Sequence, residues 1–253
     1  CGTTLNASDS CTVVVTYSPI ASGPHTDQID LNFDNGAIVT NSVHDIQGTG
    51  AAPALLSISE TDPYDFGNYA VGGSGQHTFT VSNTGGVPAT SMSEVGLAAP
   101  FTYVGGSYPG TGGTCAGSLA NGANCDIVVR YAPSGTGLNS DTIDFSYDNG
   151  VTTTNAQRQV QGTGVPAAIL TISESDPYDY GNVTVGNNEL HSFTITNTGG
   201  LQATAMAGGG LVAPFTFEGG SYPGTSGDCT NALTPGSSCT ISVRYQPTGT
   251  VLG

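Results

Sequence analysis

Lysine and tryptophan are absent from this 253-residue sequence, and basic residues of any kind are rare. Arg130, Arg158 and Arg244 stand against 19 acidic residues, so the formal net charge is −16. Binding to nucleic acid needs many basic side chains to displace phosphate counterions, and the composition therefore excludes that class of partner. Binding to an anionic membrane surface is excluded for the same reason. Acidity of this size instead keeps a long chain soluble and apart from its neighbours.

Long apolar runs are also missing. No stretch of 18 residues is apolar throughout, so the sequence predicts no direct insertion into a membrane. No signal peptide is visible, and the chain opens on Cys1 in the middle of a pattern that recurs later. We therefore expect the sequence to be a processed or excerpted part of a longer protein.

Helical patterns are lacking too, since no stretch carries a run of Leu, Ala, Glu and Lys. The chain contains 38 glycines and 14 prolines, and Thr, Val, Ile, Tyr and Phe dominate the segments between them. β-Branched and aromatic residues bounded by turn formers are typical of strands. The composition therefore predicts an all-β protein.

An internal repeat organises the chain. LLSISETDPYDFGN (residues 55–68) returns as ILTISESDPYDYGN (residues 169–182), and APFTYVGGSYPGTGGTC (99–115) returns as APFTFEGGSYPGTSGDC (213–229). CDIVVRYAP (125–133) returns as CTISVRYQP (239–247) and appears earlier as CTVVVTYSP (11–19). Every match is offset by 114 residues, and more than half of the positions in the last two copies are identical. The chain is therefore predicted to be a tandem array.

The repeat predicts three pieces. Residues 1–50 form the C-terminal part of a repeat, residues 51–164 a complete repeat, and residues 165–253 a repeat that lacks its last two strands. The short Pro-containing linkers at residues 51–53 and 165–167 predict a semi-rigid rod.

Seven strands are predicted in the complete repeat, near residues 55–59, 77–83, 89–95, 101–104, 126–131, 141–147 and 151–161. Ile143, Phe145 and Tyr147 alternate with polar residues, so they are expected to share the core face of their strand. Asn149-Gly150 predicts the turn of a hairpin, since both residues accept positive φ. Seven strands in about 110 residues are typical of an immunoglobulin-like (Ig-like) β-sandwich.

Cysteines occur as one pair in each piece, with nine residues inside each pair. The fixed spacing predicts three local disulfides: Cys1–Cys11, Cys115–Cys125 and Cys229–Cys239. Zinc binding is the rival interpretation, but zinc needs a CxxC-like spacing or a nearby His partner, and neither is present. A disulfide that closes so short a loop is expected to contribute roughly 2–3 kcal/mol. Disulfides also predict an oxidising location, so we expect a secreted protein, extracellular or at the cell surface.

YDFGNYAVG (residues 64–72) followed by FTVSNTGG (79–86) resembles the opening of the ASH/Hydin-type and bacterial choice-of-anchor D Ig-like repeats, which are related to the major sperm protein fold. The closing segments RYAP, SDTIDFSYDNG and QVQGTG fit the same family, so the resemblance covers essentially the whole chain. It implies an architectural or adhesive role in a long, secreted, surface-associated protein. It names no ligand.

Two features are candidate sites. Two acidic clusters, in SETDPYD and SESDPYD, could bind Ca²⁺ as a cofactor, and the alternative is that each is a solvated loop. Their carboxylates are Glu60, Asp62, Asp65, Glu174, Asp176 and Asp179. An aromatic loop tip that could contact sugars or a neighbouring subunit recurs as Tyr108-Pro109 and Tyr222-Pro223, the alternative being a Tyr ring tucked under its own loop. No GxSxG elbow or phosphate-binding glycine loop is present, so no enzymatic activity is predicted.

The predicted function is that of a structural subunit of an extracellular fibre, whose partners are other copies or flanking repeats. Residues 1–50 of one chain could complete residues 165–253 of the next by strand complementation, because they carry the missing strands. An overlap of about 25 residues between the two pieces weakens this idea, and one window on a long continuous array explains the chain ends equally well. The alternative function is the stalk or spacer of a bacterial adhesin or carbohydrate-binding surface protein.

Overall fold

The computed structural model describes residues 1–249. These residues form sixteen strands and one short 3-10 turn at Glu218–Gly220, and the described part of the chain contains no α-helix. No helix in it is long and apolar enough to cross a membrane. The strands are β1 (Gly23–Asp34), β2 (Val39–Gly50), β3 (Leu56–Ile58), β4 (Tyr64–Ala70), β5 (Gly75–Asn83), β6 (Thr90–Glu94), β7 (Phe101–Tyr103), β8 (Asn124–Tyr131), β9 (Gly137–Asp148), β10 (Thr153–Val165), β11 (Leu170–Ile172), β12 (Glu189–Asn197), β13 (Ala203–Thr204), β14 (Phe215–Phe217), β15 (Ala232–Leu233) and β16 (Ser238–Tyr245).

Residues 51–164 contain two four-stranded sheets, ordered β4-β10-β9-β6 and β3-β5-β8-β7. Side chains from both sheets meet in one core, in which Phe79, Phe101, Ile127, Tyr131 and Phe145 are fully buried. Two sheets closed over a shared apolar layer make an Ig-like β-sandwich, which confirms the predicted fold class.

Strand β9 follows the predicted alternation, because Ile143, Phe145 and Tyr147 are all buried while their neighbours face outward. Its hairpin to β10 turns at Asn149-Gly150, where Gly150 has a φ of 89°. The Asp148 carboxylate accepts a hydrogen bond from the Gly150 amide at 2.8 Å, which closes the turn. Glycine is needed there because positive φ is unfavourable for other residues.

The sandwich has eight strands and not the seven predicted. The additional strand, β4, carries Asp65, Gly67 and Asn68, which are residue types depleted in strands, so its sequence reads as a turn. It forms because it pairs in parallel with β10, from Tyr64↔Val160 to Ala70↔Val165. Strand β4 lies at the edge of its sheet and depends on β10 for its ladder.

Residues 1–50 contain one isolated hairpin, in which β1 and β2 pair over twelve positions from Gly23↔Gly50 to Asp34↔Val39. Each of these pairs lies 114 positions before a pair of the β9–β10 hairpin. Residues 1–22 form no strand. The hairpin is therefore a second copy of β9–β10 without the remaining strands of a sandwich.

Residues 165–249 contain a four-stranded sheet, β11-β12-β16-β14, and a two-stranded pair, β13-β15. Among the described residues, no strand of this piece corresponds to β9 or β10. All three predicted disulfides are present, with Cα–Cα separations of 4.9, 4.8 and 4.9 Å for Cys1–Cys11, Cys115–Cys125 and Cys229–Cys239. The disulfide prediction is confirmed.

Candidate functional site

The inner face of the sheet β11-β12-β16-β14 lines an open groove of about 800 Å³, here named the acceptor groove. In the complete repeat the equivalent face is covered by the second sheet and forms the core. Apolar residues that line the groove include Leu170, Ile172, Phe193, Ile195, Phe215 and Ile241.

The missing cover of the groove can be measured by comparing the exposure of its side chains with that of their counterparts, 114 positions earlier, in the complete repeat. Ile58 is 4% exposed in the complete repeat, whereas its counterpart Ile172 is 63% exposed. Phe101 is fully buried, whereas Phe215 is 36% exposed. Burying one large apolar side chain is worth about 1.5–3 kcal/mol. The acceptor groove therefore holds a large unused capacity for apolar contact.

The β1–β2 hairpin carries the complementary deficit. Leu31 and Phe33 are each 48% exposed, whereas their counterparts Phe145 and Tyr147 are 0% and 2% exposed in the complete repeat. Ile29, Leu31 and Phe33 alternate along β1 and so share one face. The chain thus contains an apolar sheet face without a cover and an apolar hairpin face without a sheet.

Strand pairing in residues 165–249 is reduced at the counterparts of the positions that β9 and β10 contact in the complete repeat. Residues 178–184, the counterparts of β4, form no strand. Of residues 204–208, the counterparts of β6, only Thr204 lies in a strand, and that strand, β13, pairs with β15. β4 pairs with β10 and β6 pairs with β9, so both ladders need the hairpin. In the described residues 165–249, both stretches lack the hairpin strands with which β4 and β6 pair in the complete repeat.

A Tyr–His–Glu cluster occurs in residues 51–164 and recurs in residues 165–249. The His77 ring stacks on Tyr64 with centroids 4.1 Å apart, and His77 Nε2 lies 3.3 Å from Glu60 Oε1. Burial and then the charge of Glu60 raise the pKa of Tyr64. His191 stacks on Tyr178 in the same way, at 3.9 Å. The Tyr–His–Glu cluster is absent from the sites predicted from the sequence, although its three residues recur at the 114-residue offset and so gave a usable signal.

The carboxylates proposed for calcium bond to separate partners. Glu60 contacts His77, whereas Asp62 Oδ1 accepts a hydrogen bond from the Gln159 amide at 2.9 Å. Asp65 Oδ1 accepts one from the Gly67 amide at 2.7 Å. Within residues 1–249, no group of three or more His, Cys, Asp or Glu side chains is arranged to hold a metal ion. Calcium binding by these residues and by Glu174, Asp176 and Asp179 stays a prediction.

The predicted aromatic loop tip packs toward its own domain. Tyr108 lies edge-on to Tyr103 and to Phe145, at 5.7 and 5.6 Å between ring centroids. Its hydroxyl donates to the Ala116 carbonyl oxygen at 3.4 Å. Tyr222 packs on Phe217 in the same way. The contact role of Tyr108, Pro109, Tyr222 and Pro223 stays a prediction, and both rings are half-buried.

The Tyr108 phenol is expected to ionise at a higher pH than an exposed tyrosine, and the stability of the folded repeat is expected to depend on pH in that range. Burial and then the charge of Glu94 raise its pKa to about 12, above the ordinary value near 10. Between these two values the unfolded chain releases the phenol proton while the folded repeat keeps it, so stability falls as pH rises. Burial raises the pKa of other tyrosines as well, Tyr103 among them. Rapid pH jumps with phenolate absorbance as the readout should therefore show a late absorbance change that is smaller by one tyrosine in Tyr108→Phe. If Tyr108 instead ionised near pH 10 in the wild type, the packing of its ring on Tyr103 and Phe145 would be contradicted.

No protein-family model matches this chain, and the curated proteins contain no significant relative of it. Among solved structures, the Vibrio cholerae VesB protease is 16% identical with a TM-score of 0.35, over 44% of this chain and 32% of the protease chain. A Porphyromonas gingivalis W83 protein of unknown function is 13% identical with a TM-score of 0.36, over 76% and 83%. The ASH/PapD-like domain 7 of human CEP192 is 14% identical with a TM-score of 0.31, over 44% and 86%.

This chain spans about a third of the protease that it matches, and the three identities all lie below 20%. Likeness at this level says nothing of what the chain does. The Ig-like sandwich implied by the family resemblance is confirmed by the two sheets of residues 51–164, whereas membership of the choice-of-anchor D family stays a prediction.

Proposed function

We propose that this chain is a non-enzymatic structural subunit of an extracellular fibre built from repeated Ig-like domains. One observation carries the proposal: many of the residues kept between residues 51–164 and residues 165–249 serve the fold. They include buried side chains such as Val129 and Val243, the disulfides, and turn glycines such as Gly110 and Gly224. Recurrence of a purely architectural residue set is typical of units that supply length.

The linkers support a stiff array. Gly86 donates a backbone hydrogen bond to the Ala52 carbonyl oxygen at 3.0 Å, and Ala54 donates to the Asn149 carbonyl oxygen at 2.9 Å. A Cβ at Gly85 would collide with the Pro53 carbonyl oxygen, so glycine lets the linker lie directly on the sandwich. Gly200 bonds to Pro166 in the second linker in the same way. Linkers held by the domain that follows them restrict bending between units.

Disulfides and charge support the proposed extracellular location. The three disulfides persist where the surroundings are oxidising, as in a secreted or surface protein. The charge of −16 keeps neighbouring fibres apart at low ionic strength and is screened by extracellular salts. Together they fit a fibre that stands in the medium.

A second candidate is the stalk of an adhesin or carbohydrate-binding surface protein. The kept loop GGSYPGT favours this role as a uniform spacer, because a ligand-binding tip would diverge between copies. In this case a separate domain would bind the target, and the repeats would only hold it away from the surface.

Electron microscopy of the native surface material, with intact-mass spectrometry of its subunit, tests the proposal. Ordered fibres that contain this sequence are the expected result. Isolated rods that each end in a distinct tip domain would replace the fibre by the adhesin stalk. Material that contains this sequence without fibres or rods would overturn both roles.

A further inference from the structure

We infer that the complete repeat, residues 51–164, bears tension along its long axis, and that the pairing of β4 with β10 is the contact that resists this tension. The inference rests on the proposed fibre role for the source of the tension, but every contact that it uses lies within this one repeat. Tension on a tandem array reaches each repeat through its two linkers, so the strands next to the linkers carry it first.

The two linkers join the repeat at opposite ends of the sandwich. Ala54 donates a hydrogen bond to the Asn149 carbonyl oxygen at 2.9 Å, so the first linker lies beside the turn between β9 and β10. Strand β10 begins near that turn and runs for 13 residues to Val165, where the second linker starts. At about 3.3 Å per residue, the strand separates the two attachment points by about 40 Å. Tension between the linkers therefore acts along the strands and not across them.

Strand β4 is positioned to oppose this tension. It runs parallel to β10, from Tyr64↔Val160 to Ala70↔Val165. The first linker pulls β4 toward one end of the sandwich, whereas the second linker pulls β10 toward the other end. Because the hydrogen bonds between the two strands lie across the direction of the force, they are loaded together and must break together. This pairing is here named the β4–β10 clamp.

The segment between the first linker and β4 is held in the same way. Strand β3 pairs with β5 from Leu56↔Asn83 to Ile58↔Val81, so a pull on the linker slides β3 along β5. Strands β3 and β4 are both at the edge of their sheets and have one partner each, whereas β10 lies between β4 and β9. The sandwich is therefore expected to yield by withdrawal of residues 54–70, which the clamp and the β3–β5 pairing oppose.

Side chains and backbone of β10 also hold the loop that connects β3 to β4. Arg158 Nη2 donates to the Ile58 carbonyl oxygen at 2.6 Å, and the Gln159 amide donates to Asp62 Oδ1 at 2.9 Å. The Arg158 side chain is only 16% exposed, so water competes weakly for its bonds. A hydrogen bond from a charged donor is roughly twice as strong as one between neutral groups. Residues 59–63 thus stay bonded to β10 although they form no strand.

The clamp continues past the last residue of β4. The Val71 amide donates to the Val165 carbonyl oxygen at 2.9 Å, and the Gly72 amide donates to the Pro133 carbonyl oxygen at 2.9 Å. The first of these bonds ends on the residue from which the second linker continues. Its removal therefore weakens the clamp where the tension enters β10.

Pulling the full 253-residue chain from its two ends at constant force, in magnetic tweezers, is the test. Unfolding of residues 51–164 is recognised by a lengthening of about 30–35 nm, since the disulfide keeps the residues between Cys115 and Cys125 out of the extended chain. Val71→Pro removes the amide that bonds to Val165 and should unfold roughly tenfold faster at the same force. Arg158→Gln removes the bond to Ile58, should have an effect of similar size, and leaves the backbone unchanged.

Val95→Pro is the matched control. It removes the amide that donates to the Asp144 carbonyl oxygen at 3.2 Å, so it also costs one backbone hydrogen bond, but this bond lies at the β6 edge and away from both linkers. The pairing of β6 with β9 is still intact when β4 begins to slide. Val95→Pro should therefore unfold within about twofold of the wild-type rate under force, although denaturant unfolding should show that it is less stable than the wild type.

A change of pulling direction tests the clamp without altering it. The chain contains no lysine, so Val151→Lys supplies one side-chain amine for a handle at the exposed turn between β9 and β10. Force between this handle and an N-terminal tag peels the first linker from the turn and breaks one bond at a time. At equal force, end-to-end pulling should unfold the repeat at least about a hundredfold more slowly, because several backbone hydrogen bonds must break together.

Equal unfolding rates in the two pulling directions would overturn the inference. It would also be overturned if Val71→Pro and Val95→Pro accelerated unfolding to the same extent. Native fibres whose repeats open equally fast in both directions would refute the clamp and leave the fibre role intact. A repeat whose resistance depends on direction, from native material without fibres, would refute the fibre role and leave the clamp intact.

Discussion

Phe145→Ala is expected to lower the free energy of unfolding of residues 51–164 by about 3–5 kcal/mol. Phe145 is fully buried between the two sheets and lies 5.6 Å from Tyr108. Alanine would leave a cavity among side chains held by two sheets, which cannot close around it without breaking strand pairs. The loss is a large part of the stability of a domain of this size.

Leu31→Ala is the matched control. Leu31 occupies the same hairpin position, but in the isolated chain it is 48% exposed. In dilute solution, where chains are not associated, its loss should cost under about 1 kcal/mol because little buried surface is removed. Hydrogen exchange with peptide resolution measures both variants, since it reports each piece of the chain separately. Equal costs for the two variants would mean that the hairpin is already buried in the monomer.

Much of the sandwich could be predicted from the sequence, because its signals are local. The alternation of Ile143, Phe145 and Tyr147 defines a core face, and Asn149-Gly150 defines a turn, without reference to any distant residue. Fixed cysteine spacing likewise predicts pairing inside each unit. These features need only the neighbouring residues, and the structure agrees with each of them.

Strand β4 could not be predicted, because it owes its conformation to a distant partner. Tyr64 pairs with Val160, whereas Asp65, Gly67 and Asn68 are residue types that are depleted in strands. Residues 178–184 have a similar sequence but form no strand, because the described residues 165–249 contain no counterpart of β10 with which they could pair. In β4, pairing with a distant strand overrides the weak strand propensity of the local sequence. In residues 178–184 that pairing is absent, so the same kind of sequence stays outside the sheet.

The open groove could be anticipated from the repeat, since residues 165–253 lack counterparts of the last two strands. What stayed hidden was the state of residues 1–22. Their sequence matches that of β8, yet without the other strands of a sandwich they form none.

Asn83→Ala is expected to destabilise the same domain by about 3–4 kcal/mol, although it removes few atoms. Asn83 is 1% exposed and bonds to four backbone groups. Its Oδ1 accepts from the Leu55 and Gly85 amides at 3.2 and 3.0 Å. Its Nδ2 donates to the Val87 and Leu119 carbonyl oxygens at 2.9 and 3.1 Å. Each buried group left without a partner costs about 1–3 kcal/mol, and water entering the space offsets part of the sum.

Asn83→Asp separates hydrogen bonding from volume. A carboxylate keeps both bonds from the amides but faces two carbonyl oxygens that it cannot satisfy. The buried carboxyl should be held in its protonated form more strongly in the folded domain than in the unfolded chain. Its stability deficit should therefore shrink below about pH 4 and grow as pH rises, whereas the deficit of Asn83→Ala should not depend on pH in this range. Denaturant unfolding measured below about pH 4 and again at neutral pH distinguishes the two variants.

The location of Asn83 connects this loss to the fibre role. Leu55 lies two residues after Pro53, the last residue of the linker, and Pro53 lies against Gly85. Because Asn83 bonds to the amides of both Leu55 and Gly85, its side chain ties the linker to the domain. Asn197 makes the same connection for the next linker, with Oδ1 and Nδ2 bonded to Ile169, Gly199, Leu201 and Leu233. Hydrogen exchange at residues 53–58 should rise in Asn83→Ala before the rest of the domain opens. Exchange that rises evenly across the domain would mean that Asn83 supports the core alone and does not stiffen the linker.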